Sequence, residues 1–489
     1  MLNVRNLFGI AFVIIGILAL GWFADFSGLF LFLSPDGNVT PFMMLSLQLC
    51  LISLAPLGLV LIFYSRVTSL LVRIDGWMSH IDVRRFLVYV IAVGLLLRLA
   101  AVTFLPFDQS SDFASYDELA WQWALRGGYY GGEHLTAYWP PAYPFFLSRI
   151  YVLFGHVPRL GAIANVFLAL PELLLSFFIM KRVFDERVAR WTLLVLAFFP
   201  SQILFTHLLS SEALFKPLLL LSILLFLPVD GQRSKKWYVM LIGGFVLGMA
   251  TLTRAISKFL LLVVVPFWWL ETRSVKRTIR FTVLALVGFL VVVAPWMVRN
   301  YHVVGVATIN TNTGINLFIG NQPGAGMGYN KYLADQFDVN GPLQEAYFDS
   351  SAWHRAKDYI LERPGAFLVR GFAKLLLFYA ADMDALWFGL AETAETSKTN
   401  GIVFISLISQ LYWILMLMCA LPGLIVFLGS SSKVMNPGGF LLLGIIGYWT
   451  AIHFVFYGLS RYHFPIIPML SAFAALYIKS VIDKCQAAG

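Results

Sequence analysis

Residues 87–107 read LVYVIAVGLLLRLAAVTFLPF, and residues 110–147 follow as SSDFASYDELAWQWALRGGYYGGEHLTAYWPPAYPFFL. The first stretch is continuously apolar and long enough to cross the ~30 Å hydrocarbon layer of a bilayer as a helix. Lipid offers no partner to a loose backbone amide, so such a run is predicted to be helical, and its lack of alternation argues against a β-barrel. Just past its exit stand Asp112 and Asp117, then aromatics, glycines and a Trp-Pro-Pro turn. Only 12% of the chain is charged, so acids at a membrane exit need a reason.

The same signature recurs along all 489 residues, of which 59% are apolar, with a mean hydropathy of +0.78. This lies outside the range of soluble domains and predicts an all-α polytopic membrane protein, a bundle of about twelve transmembrane helices with interfacial helices in its external loops. The predicted spans are 7–32, 42–64, 86–106, 159–180, 188–206, 212–229, 236–253, 256–271, 279–297, 402–428, 438–457 and 463–481. Residues 1–24 resemble a signal peptide, but the apolar character runs on to about Leu33 without a small-residue cleavage site, so they are read as a retained span. Cys50, Cys419 and Cys485 are far apart and form no CxxC pair, which indicates neither a disulfide framework nor a zinc site.

The net charge of +9 does not point to nucleic acid, because the basic residues cluster in alternate short connections. Those are Arg66/Arg73/Arg84/Arg85, Lys181/Arg182/Arg187, Arg233/Lys235/Lys236, Arg273/Lys276/Arg277/Arg280 and Lys433, whereas the connection His207–Ser211 has no Lys or Arg. The asymmetry predicts cytoplasmic termini and puts 107–158 and 298–400 outside. The organisation expected is a hairpin and cytoplasmic loop at 1–85, a membrane module at 86–300 containing the first external loop, a large external loop at 301–400, and C-terminal spans at 401–489. The segment FLVRGFAKLLLFYA (367–380) would put Arg370 and Lys374 in mid-membrane if it spanned, so it is predicted to lie flat on the outer surface. No solenoid-length repeat is visible, and the two halves lack the matching broken spans of repeat-built transporters.

A short amphipathic helix is predicted at 115–126, with Tyr116, Leu119, Ala120 and Trp123 on one face and Gly127-Gly128 as its stop. Asp112 lies near the start, where a helix N-terminus favours an anion, and it reads equally as a plain helix-start carboxylate, as does Asp117. Glu212, in HLLSSEALF, is the second acid at an external helix end. Two carboxylates facing one pocket suit proton abstraction from a hydroxyl, or a divalent cation, Mg or Mn, held by Asp112 and Glu212. No other cofactor is indicated. Arg254, Lys258, Arg299 and Arg461 sit at predicted external helix ends, where each could merely snorkel; together they suit a phosphate at the bilayer edge. Asn310, Asn312, Asn316 and Asn321 could bond a sugar or their own turns. His207, His302 and His463 show no ligand spacing.

The order SD…Y..DxxA……G…YWPPAYPFF, LSSEALF, LTR, PWMVRN…TNTGINLFIGN and RYHFPIIP resembles the multi-span glycosyltransferases of the GT-C superfamily over residues 86–480. It is most similar to the branch holding protein O-mannosyltransferases and lipid A aminoarabinose transferases. The resemblance implies an EC 2.4-class enzyme that transfers a sugar, with inversion, from a polyprenyl-phosphate donor to a glycan, lipid or protein acceptor outside the membrane. It further implies an integral protein of a bacterial inner membrane with the site facing the periplasm. The family's loop acid falls on Asp112 and a second acid on Glu212. Where aminoarabinose transferases carry a phosphate-binding lysine before the Pro-Pro pair, this chain has Trp139, which shifts phosphate contacts to other cations. Tyr138, Trp139 and Tyr462 complete the substrate-contact set expected.

Two other classes remain. A polymerase or ligase of undecaprenyl-linked glycans would need no loop aspartate, and a lipid or glycan transporter would line a mid-span path with charge.

Overall fold

The run at 87–107 lies in a helix, Val83–Phe104, started by Asp82, whose carboxylate accepts from the backbone N–H groups of Arg84 and Arg85. The computed structural model describes residues 4–21, 48, 51–228, 237–325, 328, 329, 331–334, 336, 341–382, 384, 388, 399–429 and 436–488. Cys50, Arg233, Lys235, Lys236, Lys433, the end of the first expected span and most of the start of the second lie outside the described residues.

The main helices are α1 (Val4–Gly21), α2 (Leu54–Ile62), α3 (Tyr64–His80), α4 (Val83–Phe104), α5 (Ser111–Arg126), α6 (Ala142–Phe154), α7 (Pro158–Val183), α8 (Glu186–Ala197) and α9 (Ser211–Phe226). They continue as α10 (Trp237–Thr253), α11 (Leu261–Thr272), α12 (Val275–Val304), α13 (Thr313–Gly320), α14 (Pro342–Glu362), α15 (Pro364–Ala380), α16 (Thr399–Gly429), α17 (Pro437–Val455) and α18 (Ile467–Ala488). A two-stranded ribbon pairs Tyr130 with Leu135 and Gly131 with His134. Among the described residues seven helices are long and apolar enough to cross a membrane, or nine if each of two bent pairs counts as one span. One bent pair is α2 and α3, at 84°; the other is α8 and the segment opened by Pro200, at 54°. Sequence hydropathy alone reads the second as one uninterrupted span; Pro200 removes a backbone donor and starts a new turn there.

Close backbone approach fixes the crossing of α10 and α12. A Cβ at Gly244 would stand 1.9 Å from the Ala285 carbonyl oxygen, and one at Gly288 would stand 2.0 Å from that of Leu241. Small residues are how membrane helices gain contact where burial from water gives no drive. The core lies between α7, α8, α9 and α16–α18, filled by Phe177, Phe199, Trp413 and Trp449. Exposed Leu96 and Phe104 on α4 are on the outside of the bundle.

Helix α15 does not run alongside α17. Near its start Phe367 meets Phe454, at its end Tyr379 OH pairs with Thr450 Oγ1 at 2.7 Å, and these contacts span about one turn of α17. It therefore crosses α17 near that helix's end. Its cations do not reach outward, however: Arg370 donates to the Gln322 carbonyl and Lys374 to Asn321 Oδ1 and the Val455 carbonyl, both side chains being buried.

Candidate active site

Helix α5 begins at Ser111, whose φ of 52° is left-handed, and ends at Gly127, φ 69°. The Gly127 stop is the one read from sequence; the start is earlier, which places Asp112 in the first turn. The connection from α4 is tied down by Gln109, which accepts from the Leu209 N–H at 2.8 Å and donates to the His207 carbonyl at 3.3 Å. The α4–α5 loop and the segment leading into Glu212 are thus one unit.

Arg461 donates through Nη2 to Asp112 Oδ2. The guanidinium lies between the rings of Phe113, Phe388 and Tyr462, at 5.2, 5.4 and 5.5 Å. Its backbone N–H donates to Asp384 Oδ2 at 2.9 Å. Arg461 is buried, but 27% of the Asp112 side chain is exposed, and among the described residues no hydrogen bond engages Asp112 Oδ1.

Glu212 begins α9 and is 2% exposed. Its Oε1 lies 2.7 Å from Arg254 Nη1, and its Oε2 accepts from the Ser210 hydroxyl. Ser211 Oγ accepts from Arg254 at 3.0 Å and contacts Tyr116 OH at 3.3 Å. Each acid is therefore matched to its own arginine, and the two pairs meet at Tyr462, which both guanidinium groups face.

Asp112, Arg461 and Arg254 border a cavity of about 550 Å³, whereas Glu212 stands behind Arg254, outside its lining. Asp112, Arg254, Lys258, Tyr138, Trp139, Tyr462 and Asn316 line it, joined by Asn310, Asn312 and Asp384. Burial pushes the hydroxyls of Tyr116 and Tyr138 above the usual tyrosine range, so both stay neutral donors. Lys258 differs from the arginines: among the described residues no carboxylate pairs with it, and its ammonium lies 5.2 Å from the Phe259 ring.

Four expected residues are elsewhere: Glu212, whose carboxylate is buried behind Arg254 and lines a separate small chamber, and Asp117, Arg299 and Asn321. Asp117 does not line the cavity; it accepts from Tyr151 OH and faces His156 Nε2 at 3.1 Å, because it lies on the side of α5 that meets α6. Arg299 is a loop clamp: it donates to the carbonyls of Thr136 (2.6 Å) and Tyr129 (3.3 Å) and stacks on Trp296. Asn321 bonds the carbonyls of Leu317 and Val455, both at 2.8 Å, and accepts from Lys374. The expected divalent cation does not fit the donor set either. Asp112 and Glu212 each already face a guanidinium, and among the described residues no group of three or more His, Cys, Asp or Glu could hold a metal.

Two groups in the 305–380 region titrate in ways the sequence does not show. Burial pushes Asp349 up to about 6, although the Gly314 and Ile315 N–H groups donate to it. Burial, aided by Arg370, pushes Lys374 down to about 7. Neither environment leaves a local pattern.

Residues 139–298 match the family model described as dolichyl-phosphate-mannose-protein mannosyltransferase. No curated protein matches the chain. Among solved structures it is similar to the Archaeoglobus fulgidus oligosaccharyltransferase in the apo form, with 14% identity over 84% of this chain and 52% of that one and a TM-score of 0.48. It is also similar to the archaeal oligosaccharyltransferase AglB from the same organism in complex with an inhibitory peptide and a dolichol-phosphate, with 14% identity, 83% and 51% coverage and a TM-score of 0.46. A third is ArnT from Cupriavidus metallidurans bound to undecaprenyl phosphate, with 15% identity, 83% and 79% coverage and a TM-score of 0.40. The chain spans about half the length of the oligosaccharyltransferases it matches. Likeness this remote assigns no chemistry. The resemblance to the GT-C membrane glycosyltransferases read from the sequence is borne out by the family match, which runs from Trp139 through Glu212 and Arg254 to Lys258 and beyond.

Proposed function

We propose that this chain is an inverting glycosyltransferase that moves a sugar from a polyprenyl-phosphate donor to a hydroxyl of a glycan, lipid or protein acceptor. The reaction takes place on the membrane face where Asp112 and Arg461 meet, read as the periplasmic face of a bacterial inner membrane. On this reading residues 86–300 are the membrane module with the first external loop, 301–400 the large external loop, 401–489 the C-terminal spans, and 1–85 an added hairpin and cytoplasmic loop.

One observation carries the reading: a partly exposed carboxylate, held by a guanidinium on one oxygen, shares a cavity with a cation that pairs with no carboxylate among the described residues. Arg254 and Arg461 are each committed to an acid, so Lys258 is the group left to meet a phosphate. Phe259 and Leu262 beside it are 56% and 72% exposed, a lipid-facing surface on which a polyprenyl tail would continue from that phosphate.

The chemistry follows from the placement. The acceptor hydroxyl gives its proton to Asp112 as its oxygen attacks the anomeric carbon. The bond from that carbon to the phosphate oxygen breaks, and the electron pair leaves with polyprenyl phosphate. Negative charge grows on the phosphate, where Lys258 is set in advance to offset it, with Arg254 behind. The asparagines at 310, 312 and 316 and the rings of Tyr138 and Trp139 suit the hydroxyls and faces of a sugar. No step runs through a metal.

The test is incubation of the purified protein in lipid nanodiscs with a panel of polyprenyl-phosphate sugars and acceptors, reading release of polyprenyl phosphate. Release that needs both an acceptor and Asp112 supports the reading. Movement of the lipid-linked sugar across the bilayer without any bond made would replace it with a transporter.

A further inference from the structure

Below Glu212, away from the main cavity, lies a second chamber of about 20 Å³. Glu172, Gln202, Thr206, Glu212 and Lys216 are among its walls, all of them in membrane helices or at their ends. Lys216 follows Glu212 by one turn of α9; it donates to Gln202 Oε1 and lies 2.9 Å from Glu172 Oε2.

That arrangement fixes the amide. Lys216 has only donors, so Gln202 must turn its oxygen to the ammonium, which leaves Nε2 on the other side. Gln202 Nε2 has no hydrogen-bond partner among the described residues, and the one partner of Glu212 Oε1 among them is its 2.7 Å ion pair with Arg254, which leaves that oxygen room for another donor. Gln202 is 5% exposed and Glu212 is 2% exposed. An unpaired buried amide donor and a buried carboxylate with spare acceptor capacity thus belong to residues that line one chamber about the size of a water.

Unmatched polar groups at such depth are nearly always bridged, and a polar chamber above roughly 10–15 Å³ with two to four partners holds a water. We propose that this chamber is a water site, in which one ordered water accepts from Gln202 Nε2 and donates to Glu212 Oε1. Gln202 and Lys216 are then positioning residues for the Glu212 carboxylate. Arg254 holds that carboxylate from the cavity side, and the water, braced by Lys216 and Glu172, holds it from within.

The chamber is not a proton wire. Past Glu172 the next charge is Arg98, whose guanidinium donates to the carbonyls of Gly94, Leu196 and Ala197. A guanidinium does not give up its proton, so the row ends there.

The water site stands without the glycosyltransferase reading; the positioning role rests on it. A structure of the full chain, at a resolution that shows ordered waters, is expected to hold one peak within hydrogen-bond reach of both atoms, lost in Gln202→Leu. No peak in the wild type, or Gln202 bonded directly to Glu212, overturns the site. In the transfer assay, Gln202→Leu and the charge-neutral pair Glu172→Gln with Lys216→Met are each expected to lower kcat about tenfold, roughly one hydrogen bond's worth, with KM for the donor unchanged. A merely structural role would lower the melting temperature and leave kcat per folded molecule intact, which overturns the positioning. A wild type that holds the water yet transfers no sugar sinks the functional reading alone.

Discussion

Arg461 and Asp112 form an ion pair across 349 positions of sequence. The arginine enters from the chain just before α18, the aspartate from the first turn of α5, and the pair stands at the rim of the 550 Å³ cavity.

Asp112→Asn keeps the shape and removes the base. Transfer is expected to fall by about 10²- to 10⁴-fold, the usual worth of a general base, with donor binding kept. Full turnover of the purified variant would sink the assignment of Asp112.

Arg461→Ala leaves Asp112 without its charge partner and a cleft among Phe113, Phe388 and Tyr462. Breaking a largely buried pair costs about 3–5 kcal/mol, so thermal unfolding should shift by several degrees. Arg461→Lys keeps the charge and should recover part of the loss. Equal melting of all three proteins would show that the pair is not structural.

Lys258→Ala should weaken donor binding about 10- to 100-fold, the range of a charge-assisted hydrogen bond, with kcat falling less. Arg299→Ala is the contrast: it should loosen the 129–136 loop and raise its proteolysis, with donor affinity little changed. Equal loss of donor affinity in the two variants would remove the distinction between phosphate contact and loop clamp.

Asp349 gives a pH signature. Its carboxyl is raised to about 6 in the fold from an ordinary value of 3.8, so the fold binds its proton more tightly than the open chain does. That contribution is complete below 3.8 and is lost as pH rises through about 6. It amounts to about 2 kcal/mol after discount for partial exposure. Asp349→Asn keeps an oxygen for the Gly314 and Ile315 N–H groups and should flatten the melting profile across that same pH window, measured by thermal scans.

Sequence made the helices legible because lipid demands long apolar runs; the reasoning for 367–380, that Arg370 and Lys374 could not sit in hydrocarbon, missed that the fold buries both against protein oxygens. Asp112, Glu212, Arg254 and Lys258 were legible as charges at helix ends. Their pairing was not, since which acid meets which arginine is settled by contacts between distant parts of the chain. Asp117 misled because Tyr151 and His156, which bind it, come from α6 and the turn after it. The Glu172–Lys216 pair had a signal that hydropathy averaging hid: charges inside apolar runs, with Lys216 four positions after Glu212.

The far separation of Asp112 and Arg461 also bears on biogenesis. Helices enter a membrane in the order they are made, so the aspartate is delivered long before its arginine exists. Until α18 is threaded in, the half-built protein holds a carboxylate with no counter-ion and cannot organise its reaction centre. On the proposed function, chains still on the ribosome are expected to be silent, and fragments that part Asp112 from Arg461 should regain transfer only when both are co-expressed.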